Sequence, residues 1–159
     1  MIFVVLGTQR FQFNRLLKAV DNLIQEGQMP SDVLVQSGYS EYKPLHYQQK
    51  PFFNQEEMND HIAKSEFVLS HAGVGVITSA LQMNKKVIVM PRRKDHGEHV
   101  DNHQLEIAKV FQDKGYISVA QNEDELHALI ANIDKLDFQP YVKSNSQLLS
   151  SIKGYINSL

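Results

Sequence analysis

The stretch "EFVLSHAGVGVITSAL", residues 66–81, decides the fold. Phe67-Val68-Leu69 is continuously apolar, as in a strand buried on both faces, and the run ends in two glycines one residue apart, Gly73 and Gly75, before a helical pattern through Leu81. Without Cβ atoms the chain can turn sharply there and a ligand can approach the backbone. The N–H groups at the helix start then offer a place for phosphate oxygens. Two glycines do not make a dinucleotide fingerprint: the third is missing, and the motif lies mid-chain rather than on the first strand. The first strand ends instead in Gly7-Thr8-Gln9-Arg10, with no GxGxxG, which disfavours NAD. A lone GxG is compatible with a plain tight turn or with a phosphate cradle.

Outward from this stretch the elements alternate. Ile2 to Leu6 is a second buried strand, followed by a helix with Leu16, Leu17, Val20, Leu23 and Ile24 on one stripe. "DVLVQSG" (32–38) predicts a strand, and "LHYQQKPFF" (45–53) a weaker extended stretch. A short helix with Met58, Ile62 and Ala63 leads into the quoted segment. Beyond it come the strand "KVIVMP" (86–91), a helix with Leu105, Ala108 and Phe111, and the strand "GYISV" (115–119). Asn122 and Glu125 have the spacing of a capping box for a helix with Leu126, Leu129, Ile130 and Ile133. A final amphipathic helix over 143–159 reads as core packing or as a partner surface. Strands alternating with helices predict one α/β domain over 1–159, doubly wound and Rossmann-like, with a mostly parallel sheet. In such sheets ligands bind beyond the carboxyl ends of the strands. "GTQRF", "QSG", "PFFN", "SHAGVG" and "PRRKDHGEHVDNHQ" all fall there.

Composition narrows the function. A net charge of -2 gives no global electrostatic case for nucleic acid or an anionic membrane. The absence of cysteine excludes disulfides, thiolate zinc sites and a cysteine nucleophile, and suits a reducing cytoplasm. No stretch approaches the roughly 18 apolar residues of a membrane span, and the start lacks a signal pattern, so the sequence predicts a soluble chain.

The densest polar stretch is 91–104. Arg92, Arg93 and Lys94 are placed to neutralise a diphosphate, and His103 and Gln104 to bind hydroxyls, or the whole segment is a solvated loop. Gly7, Thr8, Gln9 and Arg10 offer further donors, or simply end a strand. His99 and His103 are four apart with acids nearby, but neither H-E-x-x-H nor H-x-x-E-H is present, which disfavours a metal. Nucleophile-elbow, Walker and acidic D-x-D motifs are absent as well. Glu56 and Glu57 read as a solvated helix start.

Together, "FVVLGTQRFQFNRLLKAVD" (3–21), "QSGYS" (36–40), "FVLSHAGVGVITSAL" (67–81) and "VIVMPRRKDHGEHVDNHQLEIA" (87–108) resemble the donor-binding subunits of two-part glycosyltransferases of family 28. The likeness is above all to bacterial exopolysaccharide and capsule enzymes. It extends to the catalytic half of the dolichol-linked N-acetylglucosaminyltransferase and to the carboxyl half of the lipid II-forming enzyme, and it runs to about Val119. The resemblance implies the C-terminal half of a GT-B enzyme, a hexosyltransferase that takes a UDP-sugar as substrate, needs no metal or other cofactor, and inverts the anomeric centre. It implies diphosphate contacts at Gly7, Thr8, Gln9, Arg10, Gly73, Val74, Gly75 and Arg92. It places Phe53, Thr78 and Ser79 at the nucleoside, and His71, His103 and Gln104 at the donor sugar. Relatives carry a glutamate for the ribose where this chain has Ser79. The resemblance also implies a membrane-anchored, acceptor-binding partner that supplies the base, a lipid-linked saccharide acceptor, and recruitment from the cytoplasm to the inner membrane face. Two rival readings are a non-catalytic nucleotide-sugar-binding regulator and a metal-dependent hydrolase built on the histidine loop.

Overall fold

Strand β1 (Ile2–Val5) is buried along its whole length because it has a partner on each side and helices above and below. The structure, a computed structural model, describes residues 1–142, so the expected helix over 143–159 lies outside the described residues. The remaining strands are β2 (Val33–Gln36), β3 (Gln48–Lys50), β4 (Phe67–Ser70), β5 (Lys86–Val89) and β6 (Ser118–Val119). All pair in parallel, in the order β3-β2-β1-β4-β5-β6. The sheet is therefore wholly parallel among the described residues, where the pattern predicted mostly parallel. Its edge strands β3 and β6 are short, which limits exposed pairing edges.

Side chains alternate across a strand, and the core divides accordingly. Ile2, Val4 and Leu6 face helices α1 (Asn14–Gln25) and α5 (Glu123–Ala131). Phe3 and Val5 face α2 (Gln55–Lys64), α3 (Val74–Gln82) and α4 (His103–Asp113). The α1 stripe is buried at Leu16, Leu17, Val20 and Leu23, each contributing about 1.5–3 kcal/mol of transfer free energy. On α4 the buried stripe is Gln104, Ile107, Ala108 and Phe111; Leu105 is only half-buried.

Two polar features depart from the sequence reading. The reciprocal capping box is at α2: Asn54 accepts from the Glu57 N–H at 2.8 Å, and the Glu57 carboxylate accepts from the Asn54 N–H at 3.0 Å. Glu57 is therefore a capping group rather than a purely solvated acid. At α5, Asn122 accepts from the Glu125 N–H at 2.9 Å, but Glu125 turns to the N–H of Gln121. Asp21, an acid on the buried face of α1, accepts from the Tyr42 hydroxyl at 2.6 Å and from the N–H groups of Leu45 and His46. This pins the β2–β3 connection to α1, and the adjacent carboxylate pushes the Tyr42 phenol up to about 12.

Candidate functional site

The chain runs outward from β1 to β2 and β3, then crosses back to β4 on the other side of β1. The carboxyl ends of β1 and β4 are thus neighbours with their connections leading in opposite directions, the place where open α/β sheets bind ligands. Register pairs Val5 with Ser70, and the His71 N–H donates to the Val5 carbonyl at 3.0 Å. The two turns singled out in the sequence meet there.

Gly7 turns with φ +84°, a conformation that strains any L residue. The turn is clasped by Gln36 at the end of β2. The Gly7 N–H donates to Gln36 Oε1 at 2.8 Å, and Gln36 Nε2 donates to the Gly7 carbonyl at 3.1 Å and the Pro51 carbonyl at 2.7 Å. One buried amide therefore ties the ends of β1, β2 and β3 together. Sequence reasoning missed this residue; its signal was a polar side chain at the end of an apolar strand.

His71 follows β4 and is 7% exposed. A Cβ on Gly7 or on Gly73 would collide with its Nε2 and Cε1 atoms. Both glycines are thus required by a side chain of the protein, beyond any need of a ligand. Gly73 has ordinary backbone geometry, φ -87°, and begins α3 without a side-chain cap. A Cβ at Gly75 would meet nothing within 4 Å. The first turn of α3 has no acidic side chain, so its N–H groups and the positive end of its dipole stand available to an anion.

These parts open onto a cavity of about 410 Å³. Of the expected residues it is lined by Gly7, Thr8 and Gln9 from the β1 turn, and by His71, Gly73 and Gly75 from the β4 turn. Phe53 and Ser79 line it too. The Phe53 ring packs edge-on to Phe3 and His61, with the Lys50 ammonium 5.3 Å from its centroid. Sequence reasoning did not foresee Phe52, Gln55 and Met58 in the wall; Phe52, 41% exposed, stacks edge-on with Tyr39 at 5.3 Å.

The other expected residues lie outside the lining. Arg10 is exposed, and Val74 packs its side chain against the core. The Thr78 hydroxyl donates to the carbonyls of Val74 and Gly75. Arg92 is 0% exposed; its two terminal nitrogens donate to the carbonyls of Leu6, Phe11, Gln12 and Glu98, and its Nε is buried without a partner, so none of its donors faces the cavity. Burial pushes its guanidinium down to about 10. Glu98, 1% exposed, takes a bidentate pair from Arg15 at 3.0 Å and accepts from the Arg93 N–H. The loop expected to be either a diphosphate clamp or a solvated segment is anchored by two buried ions. Its outer part is exposed, with Arg93 paired to Asp95 at 3.0 Å.

Gln104 points inward. It is 5% exposed, with Oε1 accepting from the N–H groups of Arg92 and Ala72 and Nε2 donating to His71 Nδ1 at 3.0 Å. His103 sits at the start of α4 beside Asp101 and Glu106, each 3.7 Å away. His99 and Asp101 pair at 3.0 Å, and among the described residues no group of three histidines or acids is arranged to hold a metal.

Comparison with known proteins follows the same geometry. A model of the glycosyltransferase family 28 C-terminal domain matches residues 1–156. The UDP-N-acetylglucosamine transferase subunit ALG13 of Candida albicans is 31% identical over 99 residues, 62% of this chain and 32% of its own length. A Bacillus cereus UDP-N-acetylglucosamine--N-acetylmuramyl-(pentapeptide) pyrophosphoryl-undecaprenol N-acetylglucosamine transferase is 26% identical over 153 residues, 93% of this chain and 38% of its own. This chain thus spans about a third of the length of the curated relatives it matches. The solution structure of ALG13 superimposes with a TM-score of 0.58 at 22% identity, covering 94% of this chain and 92% of that one, a likeness of fold.

Proposed function

The chain belongs to the glycosyltransferase family 28 C-terminal domain family, and from that premise we propose that it is the donor half of a UDP-sugar glycosyltransferase. The observation that carries the reading is the cavity between β1 and β4, where the uncapped start of α3 and the Gly7 and Gly73 turns surround the buried His71. The diphosphate lies against Gly7, Thr8, Gln9 and Gly73 and takes the N–H groups of Val74 and Gly75, the Gly73 N–H itself donating to the His71 carbonyl. The nucleoside lies toward Phe53 and Ser79, with a serine in place of the ribose-binding glutamate.

The reaction is inverting transfer. A base takes the proton of an acceptor hydroxyl, and the oxygen bonds to the anomeric carbon as that carbon's bond to the diphosphate oxygen breaks. UDP leaves with the electron pair. The N–H groups at the α3 start meet the growing charge, so no metal is required. The acceptor half and the base come from a second, membrane-anchored chain, in keeping with the subunit status of the ALG13 relative. Among the described residues no helix is long and apolar enough to cross a membrane. The acceptor is a lipid-linked saccharide at the cytoplasmic membrane face, in exopolysaccharide or capsule synthesis.

Calorimetric titration with UDP, with and without EDTA and with AMP and NAD as controls, tests the donor site. The expected result is selective UDP binding that chelation leaves unchanged. UDP that fails to bind the folded chain overturns the reading, and binding abolished by EDTA returns the metal alternative. Binding without transfer in the presence of the acceptor half and acceptor would make the chain a nucleotide-sugar sensor.

A further inference from the structure

We infer that Gln104 is a positioning residue that holds His71 as the neutral Nε2–H tautomer, so that a fixed N–H donor faces an anion between Gly7 and Gly73. The tautomer follows from hydrogen-bond geometry; the anion's identity rests on the diphosphate reading above.

Gln104 Oε1 lies 3.0 Å from the Arg92 nitrogen and 3.3 Å from the Ala72 nitrogen. Backbone N–H groups only donate, so the side-chain atom they meet is the carbonyl oxygen, and the amide orientation is fixed. Nε2 is then the NH₂ group, and it lies 3.0 Å from His71 Nδ1. A ring nitrogen that accepts carries no proton, so the neutral imidazole bears its proton on Nε2. Nε2 is the ring atom nearest the Cβ positions of both Gly7 and Gly73. The residue that sets the tautomer thus comes from α4, and the residue that presents the proton from the end of β4.

Burial and charge keep the ring neutral, and the hydrogen bond from Gln104 selects between the two neutral tautomers. Burial, and the nearby Arg92 and His99, push the His71 imidazole down to about 3, against the weaker opposing influence of Gln104. The ring is neutral across the whole physiological range. This differs from the sugar-binding role that family resemblance gives Gln104: both of its polar atoms are engaged within the protein.

The first test is the ¹⁵N imidazole spectrum of the intact chain from pH 5 to 8, with His71 assigned by the signal lost in His71→Asn. The expected pattern is an unprotonated Nδ1, a protonated Nε2, and no titration. An Nδ1–H ring, an averaged pair or a midpoint within that range overturns the inference.

Gln104→Glu keeps both backbone acceptor bonds but offers Nδ1 a carboxylate acceptor. His71 is then expected to carry a proton on Nδ1 and to titrate within the window. Affinity for UDP-N-acetylglucosamine, flat with pH in the parent, is expected to fall about tenfold as pH rises through the new midpoint. A variant with the converted ring but pH-independent affinity overturns the donor role. If the variant does not fold, the parent decides: the Nε2–H signal is expected to move when the UDP-sugar binds, and an unmoved signal in a saturated complex overturns that role. A parent that binds no UDP-sugar sinks the diphosphate reading and the donor role with it, while the free spectrum still decides the tautomer.

Discussion

The glycine turn at His71–Gly75 and the charged loop at Arg92–Glu98 follow neighbouring strands, and they use opposite means. The turn carries no full charge, yet it gathers helix N–H groups and an imidazole N–H around an open cavity. The loop carries Arg92, Arg93, Lys94, Asp95 and Glu98, but its innermost charges serve the protein itself. Arg92 holds the carbonyls at the end of β1 and in the following segment, and Glu98 holds Arg15 of α1. A donor buried inside the fold cannot reach a ligand. An uncharged N–H aimed into a cavity can.

Breaking the loop should therefore cost stability first. Arg92→Ala removes a fully buried side chain and leaves several carbonyls without their donor. The expected loss is about 3–5 kcal/mol in urea unfolding. A loss under about 1 kcal/mol would show that the loop's ions are not its anchor.

The turn makes itself felt through pH. The folded value for His71, about 3, lies below its ordinary 6.5, so between these values the unfolded chain binds a proton that the folded protein refuses. The contribution to stability is complete above about 6.5 and is lost as pH falls toward 3, by at most about 1.4 kcal/mol per pH unit. Urea midpoints measured across that window check this, and His71→Asn should flatten the slope.

The smallest and sharpest contrast is within the turn. Gly73→Ala drives a methyl into His71 and is expected to destabilise by about 1–3 kcal/mol and to weaken UDP. Gly75→Ala meets open space on a helix, so stability should hold or rise by up to about 1 kcal/mol while UDP binding weakens. Equal effects of the two on stability would break the distinction between a glycine kept for a side chain and one kept for a ligand.

The order of elements was legible because buried parallel strands are apolar throughout while helices carry a stripe, so Ile2–Leu6 and Phe67–Leu69 are recognisable without their neighbours. The two glycine turns could be assigned to one edge for the same reason. Gln36 and Asp21 escaped notice because a single polar residue in an apolar pattern shows its purpose only through partners 15 to 29 positions away. The sequence by itself determined a doubly wound α/β fold and the edge where its polar segments gather, since both depend on local periodicity and alternation. Which of those polar residues face the cavity was decided only by tertiary structure. Arg92 and Gln104 turn inward and His71 presents its Nε2–H because a buried polar group must find a partner wherever the fold supplies one, and those partners come from distant segments.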